Sequence, residues 1–147
     1  MNKRRLAITV LALLGIFVSG YLTYSHFSGE PVYCGGASSC ELVNNSRYAS
    51  IGPLPVIGLL PVSALGLVAY IAILILSLIK SDEERQWPAI LIFGAALIGV
   101  MFQWYLFYIE VAVLHALCYW CISSQTIITL IFLLALPRRT PVAEETE

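Results

Sequence analysis

Four cysteines in the chain fall into two spaced pairs, Cys34 and Cys40 in "CGGASSC" and Cys118 and Cys121 in "CYWC". Cysteine does chemistry as its thiolate, which attacks disulfides, binds soft metals and is stabilised by a helix N-terminus or by a C-x-x-C spacing. Cys118 and Cys121 are one helical turn apart, so in a helix both thiols share a face. The C-x5-C pair lies among glycines and serines that let its two sulfurs meet each other or let one meet a partner. Three readings of the pairs follow from the residues: inert or stapling cysteines, a four-thiolate zinc site, or a redox relay. C-x5-C spacing is loose for zinc, and the second pair borders lipid, so a metal site is not expected.

Those sulfurs must be positioned by a strongly apolar chain. Of its 147 residues 59% are hydrophobic and only 12% charged, about half the charge of a soluble domain. Apolar runs at about 6–27, 57–79, 87–109 and 115–136 would each make a helix of roughly 33 Å, enough to cross a bilayer core. The expected fold is therefore an all-α, four-transmembrane-helix bundle forming one domain over 1–147. An extracytoplasmic loop and a short interfacial helix within "ELVNNSRYASIG" connect helices 1 and 2, and the tail 137–147 is expected to be disordered. The first run is expected to remain as a helix: it exceeds a signal peptide's apolar core, and Gly20–Phe27 is aromatic-rich instead of offering a small-residue cleavage site. "GPLPVIGLLP" predicts an irregular entry to helix 2.

Basic residues orient the bundle. Lys3, Arg4, Arg5, Lys80, Arg85, Arg138 and Arg139 fall on one side and only Arg47 on the other, which predicts both termini in the cytoplasm of a plasma or inner membrane. Arg47 then meets lipid headgroups. All four cysteines face outward, into the compartment where disulfides persist. The net charge of −1 argues against nucleic acid.

Taken together, the pairs make sense as a relay between two solvents. A loop pair can exchange disulfides with a water-soluble protein and pass electrons to a pair at membrane depth. That second pair can reduce a lipid-soluble acceptor, and a quinone takes the two electrons and two protons that a dithiol gives. The competing reading is a disulfide-stapled transporter or assembly subunit, which would need no quinone and could dispense with Cys118 and Cys121.

The segments "CELVNNSRYA", "GLVAY" and "FYIEVAVLHALCYWC" resemble, in order and over nearly the whole chain, the bacterial homologues of vitamin K epoxide reductase. The other four-helix quinone-linked catalyst, disulfide bond formation protein B, carries its C-x-x-C in the first outer loop instead. The resemblance implies that Cys118–Cys121 is the active-site pair, with Cys121 beside the quinone ring and Cys118 exchanging with the loop. It implies that Cys34–Cys40 takes electrons from a thioredoxin-like partner, expected to be a separate extracytoplasmic protein because no such domain is fused here. Ser46 falls where the family has a serine near the quinone, and with Tyr48 and Gln125 it makes up the candidate quinone contacts. The quinone is expected to be of ubiquinone, menaquinone or phylloquinone type.

Two departures from the family stand out. Tyr119 replaces a proline common in bacterial members, so the pair's redox poise does not carry over. Gln125 replaces the tyrosine that vertebrate enzymes carry four residues after the second cysteine. Its amide could donate to a quinone oxygen; the alternative is a helix–helix hydrogen bond, the usual role of a glutamine at membrane depth such as Gln103. Ser46 also completes a sequon with Asn44, which matters only in a secretory pathway. Glu110 and His115 read either as a solvated interfacial pair or as a proton route to the quinone.

Overall fold

The computed structural model describes residues 3–34, 39–44, 46, 50–54, 58–79 and 86–137. Its elements are α1 (Lys3–Ser28), α2 (Ser39–Asn44), β1 (Ser50–Leu54), β2 (Gly58–Pro61), α3 (Val62–Leu78), α4 (Trp87–Ile109), a π-helical turn (Glu110–Leu114) and α5 (Tyr119–Ala135). The molecule is mostly helical. Two continuous helical stretches, Lys3–Ser28 and Trp87–Leu114, are long and apolar enough to cross a membrane, while α3 and α5 are apolar helices of 17 residues each.

Contacts run α1 to α3, α3 to α4, α4 to α5 and α5 back to α1, closing the four long helices into a ring. Small residues allow the closest approach. Gly15 of α1 lets the ring of Tyr70 from α3 lie against its backbone, and Ala12 and Ala96 are fully buried nearby. Ile73, Ile127, Ile128 and Ile131 fill the remaining core. Outward faces are just as apolar: Phe17 and Met101 are each 67% exposed. A helix apolar all round has no solvated face, so such surfaces suit lipid better than water.

The two arginines that open α1 close the far ends of two other helices. Arg5 donates to the carbonyls of Ser77 at 2.8 Å and Ile79 at 2.6 Å, at the end of α3. Arg4 donates to those of Leu134 and Leu136, at the end of α5. Cations there satisfy orphan carbonyls and complement the helix dipoles. They also place the start of α1 beside the ends of α3 and α5, so α1 runs antiparallel to both.

Three features differ from the sequence expectation. The chain is not purely α-helical: β1 and β2 pair antiparallel, with Ser50 opposite Pro61, Ile51 opposite Leu60 and Leu54 opposite Gly58. Helix 2 accordingly begins at Val62, not near residue 57, with Pro61 in extended geometry as its N-cap. The reason is local, because Gly52, Pro53 and Pro61 each oppose a helix interior, and a proline is tolerated at a strand edge or just before a helix. The interfacial helix is shorter and earlier than expected, Ser39–Asn44, and so carries Cys40 itself. Helix 4 begins at Tyr119, not 115. His115, at φ 50°, ends the π-helical turn, and residues 115–118 cross without helical structure. Tyr48, Arg47 and the tail from 138 lie outside the described residues.

Candidate active site

Cys34 and Cys40 are joined in a disulfide, with Cα atoms 6.2 Å apart, whereas Cys118 and Cys121 are free thiols. The fold brings all four sulfur residues into one apolar cluster. Cys40 and Cys118 are both 0% exposed and pack with Leu22, Val32 and Val43; Cys34 and Cys121 lie against the same cluster, partly buried. Residues 78 positions apart in sequence, Cys40 and Cys118, thus share one dry compartment.

An aromatic clasp holds the loop over the helix pair. The Trp120 indole N–H donates to the Tyr33 carbonyl at 2.9 Å, the Tyr33 N–H donates to the Tyr21 hydroxyl at 3.1 Å, and the Tyr21 and Trp120 rings meet at 4.8 Å. Trp120 lies between the two active thiols in sequence and Tyr33 immediately precedes Cys34. The clasp therefore ties the backbone beside one pair to the side chain beside the other. In the sequence Tyr21 falls only within the aromatic-rich end of the first apolar run; the polar tips of Tyr21 and Trp120 are the available signal, while Tyr33 takes part through its backbone. On the other side of the loop, His26 Nδ1 lies 3.3 Å from the Asn44 carbonyl at the end of α2.

Cys118 is the N-cap of α5, and its carbonyl accepts the Ile122 N–H at 3.0 Å, the first bond of that helix. Cys121 then faces inward at the wall of a cavity of about 510 Å³ between α1, α3, α4 and α5. Its walls are mostly apolar, with Leu22, Ile98, Phe102 and Leu106 among them, and a few polar side chains converge on it. That composition and size suit a small hydrophobic molecule with one or two polar atoms.

The polar groups form two sets. At the Cys121 end, Glu110 enters from the π-helical turn and Ser46 from the loop, the latter donating to the Val43 carbonyl at 2.8 Å. Deeper, Gln103 Nε2 donates to Ser124 Oγ at 2.9 Å, and the Tyr70 hydroxyl lies 3.0 Å from the same oxygen while donating to the Ser124 carbonyl at 2.9 Å. Ser63, also in the wall, has a buried hydroxyl with no hydrogen-bond partner among the described residues. An orphan hydroxyl in an apolar wall costs stability unless a ligand oxygen satisfies it.

Of the sequence candidates, Ser46 and Cys121 line this cavity. Gln125 does not: α5 contributes Cys121, Ser124 and Ile128, and Gln125 lies partly buried beside that stripe. Gln103, read only as an inward polar residue, is the glutamine in the wall. Glu110 is 4% exposed and His115 exposed, so they do not form the expected interfacial pair.

A sequence profile of the vitamin K epoxide reductase family matches residues 6–136, which takes in both cysteine pairs and every wall of the cavity. Relatives in this family are membrane-embedded and use quinones as electron acceptors in thiol–disulfide chemistry. With its two cysteine pairs brought together beside an apolar cavity, the chain belongs to the vitamin K epoxide reductase family.

Proposed function

We propose that this protein oxidises the dithiol of a thioredoxin-like partner outside the cytoplasm and passes the electrons to a membrane quinone. The carrying observation is that Cys121 stands at the boundary between the cysteine cluster and the apolar cavity. The partner's thiolate attacks the Cys34–Cys40 disulfide through a mixed disulfide and leaves as its own disulfide, so the loop pair becomes a dithiol. A loop thiolate then attacks an oxidised Cys118–Cys121 pair, restoring the loop disulfide and leaving two thiols on α5. Those thiols close to a disulfide again as the quinone takes up two electrons and two protons. Burial of Cys40 and Cys118 keeps small thiols in water from short-circuiting the middle step.

The cavity fits the proposed substrate. Its walls accept a ring and the start of an isoprenoid tail, Ser46 lies near the Cys121 end, and Ser63 offers a hydroxyl lacking a partner. Gln103 keeps one amide N–H beyond its bond to Ser124 and is the better-placed donor than Gln125 for a ring oxygen. The test is anaerobic mixing of the purified protein with dithiothreitol and a short-chain benzoquinone or naphthoquinone. Quinone absorbance should fall at a rate that depends on enzyme concentration; no acceleration with either ring type would defeat the proposal.

We further read all four long helices as spans. The 17-residue helices α3 and α5 would each reach about 26 Å, at the short end of what crosses a bilayer. With seven of eight basic residues on one side, an impermeant thiol reagent added to intact cells should label Cys34 or Cys40 after reduction. A cysteine introduced by Ser81→Cys should stay unlabelled until the membrane is permeabilised. Labelling at position 81 in intact cells would reverse the topology.

A further inference from the structure

Glu110 is a carboxyl group in an unusual place. The last residues of α4 do not simply fray: the chain widens into the π-helical turn Glu110–Leu114, closed by the His115 N–H and, at 3.1 Å, the Ala116 N–H, both donating to the Glu110 carbonyl. His115 adopts a left-handed conformation to end it. π-Helical turns cost hydrogen-bond geometry and cluster at functional sites. Here the turn carries the Glu110 side chain away from the surface, and it is 4% exposed.

The carboxyl group lies beside the start of α5, where the two active cysteines stand. One oxygen, Oε2, accepts the Cys118 backbone N–H at 3.4 Å, and Cys121, one turn further along α5, shares the same cavity wall. Glu110 and Cys121 both line the apolar cavity. No cation pairs with this carboxyl group among the described residues, so it is not one half of a structural ion pair. The titratable groups facing it are Cys118 and Cys121. Tyr70 shares the cavity from α3, while Glu41, Tyr108 and His115 are exposed.

We infer that Glu110 is the proton relay of the quinone half-reaction, taking the Cys121 thiol proton and delivering it to a ring oxygen. This rests on the quinone reading above and adds a catalytic group to it. The balance is two thiols plus quinone giving one disulfide plus quinol. The S–S bond forms between Cys118 and Cys121, the electron pair passes to the ring, one thiol proton reaches a ring oxygen through Glu110, and the Cys118 proton completes the quinol at the second ring oxygen. Glu110 ends as it began. In an apolar cavity water is a poor proton carrier, and a buried carboxyl group in the same wall as the donor thiol is placed to do it. A positioned acid–base group of this kind contributes about 10² to 10⁴ in rate.

The experiment is a single turnover: protein reduced at Cys118 and Cys121 is mixed anaerobically with a short-chain benzoquinone over a range of pH. Glu110→Gln keeps the shape and hydrogen-bonding capacity but cannot relay a proton. It should slow quinone reduction roughly 100-fold near neutral pH. The deficit should shrink as the pH rises into the alkaline range, because the thiolate then forms without the relay. Exchange of the Cys34–Cys40 disulfide with dithiothreitol should stay within about twofold of wild type, because the loop pair does not use this relay. Glu110→Asp, with a titratable group on a shorter arm, should fall between the two. If Glu110→Gln does not fold, the aspartate variant decides alone: a displaced pH profile supports the relay, and one superimposed on wild type overturns it. A glutamine variant as fast as wild type, or equally impaired at every pH and in both half-reactions, also overturns it. A wild-type protein that reduces no quinone would instead defeat the proposed function, and the relay with it.

Discussion

Cys121→Ala is expected to abolish quinone reduction and to trap Cys118 in a disulfide with Cys34 or Cys40. The wild-type protein resolves such a bond by attack from the neighbouring thiol one helical turn away; alanine removes that nucleophile. Cys118 and Cys40 are both fully buried in one cluster, so the trapped bond would be shielded from thiols in water. Quinone turnover should fall by at least about a thousandfold, the scale on which loss of a covalent nucleophile acts. Peptide mapping of the non-reduced protein by mass spectrometry should find the crosslink between the segment around Cys118 and the loop. Continued turnover without that crosslink would show that the pairs do not exchange with each other. Under the stapling alternative, by contrast, Cys121→Ala would leave Cys34–Cys40 intact and trap nothing.

The second large effect is expected at Gly15. A Cβ there would run into the ring of Tyr70, which is 3% exposed and hydrogen-bonded to Ser124. The ring cannot swing aside without breaking that bond and crowding the core around Ile73. Gly15→Ala should therefore cost about 2–3 kcal/mol, as overpacking of a filled core does. Because Tyr70 also lines the cavity, quinone reduction should weaken in the same variant. Gly94→Ala is the internal comparison: it lies in a helix too, but nothing stands within 4 Å of the added methyl. It should be neutral or stabilising by up to about 1 kcal/mol, following intrinsic helix preference. Unfolding in detergent, followed by circular dichroism, measures both. Equal midpoints for the two variants would mean that α1 and α3 do not pack through Gly15.

Much of this protein could be read along the chain. Long apolar runs, their basic flanks and the two cysteine spacings are properties of contiguous residues, and they pointed to apolar helices and to thiol chemistry. Where elements begin was less legible. Hydropathy carries no information about backbone hydrogen bonds, so 58–61 counted as helix although glycine and prolines favour the paired strands Ser50–Leu54 and Gly58–Pro61. The same blindness moved the start of the last helix from His115 to Tyr119, since the left-handed turn at His115 has no glycine to announce it.

Which residues surround the cavity was decided only in three dimensions. Gln103 and Gln125 look alike in sequence, each a lone amide in an apolar run, and helix rotation alone puts the first in the wall and the second beside it. Ser63, Tyr70 and Cys121 line one cavity from helices that are separate in sequence. Glu110, eight positions before Cys118, read along the chain as either a solvated helix end or a proton route, because a regular helix gives no reason to bury it. A widened turn with its own hydrogen bonds does. Local composition determined that the chain would hold thiols next to an apolar phase; the packing of four helices and one π-helical turn determined which carboxyl group, amide and hydroxyls meet them there.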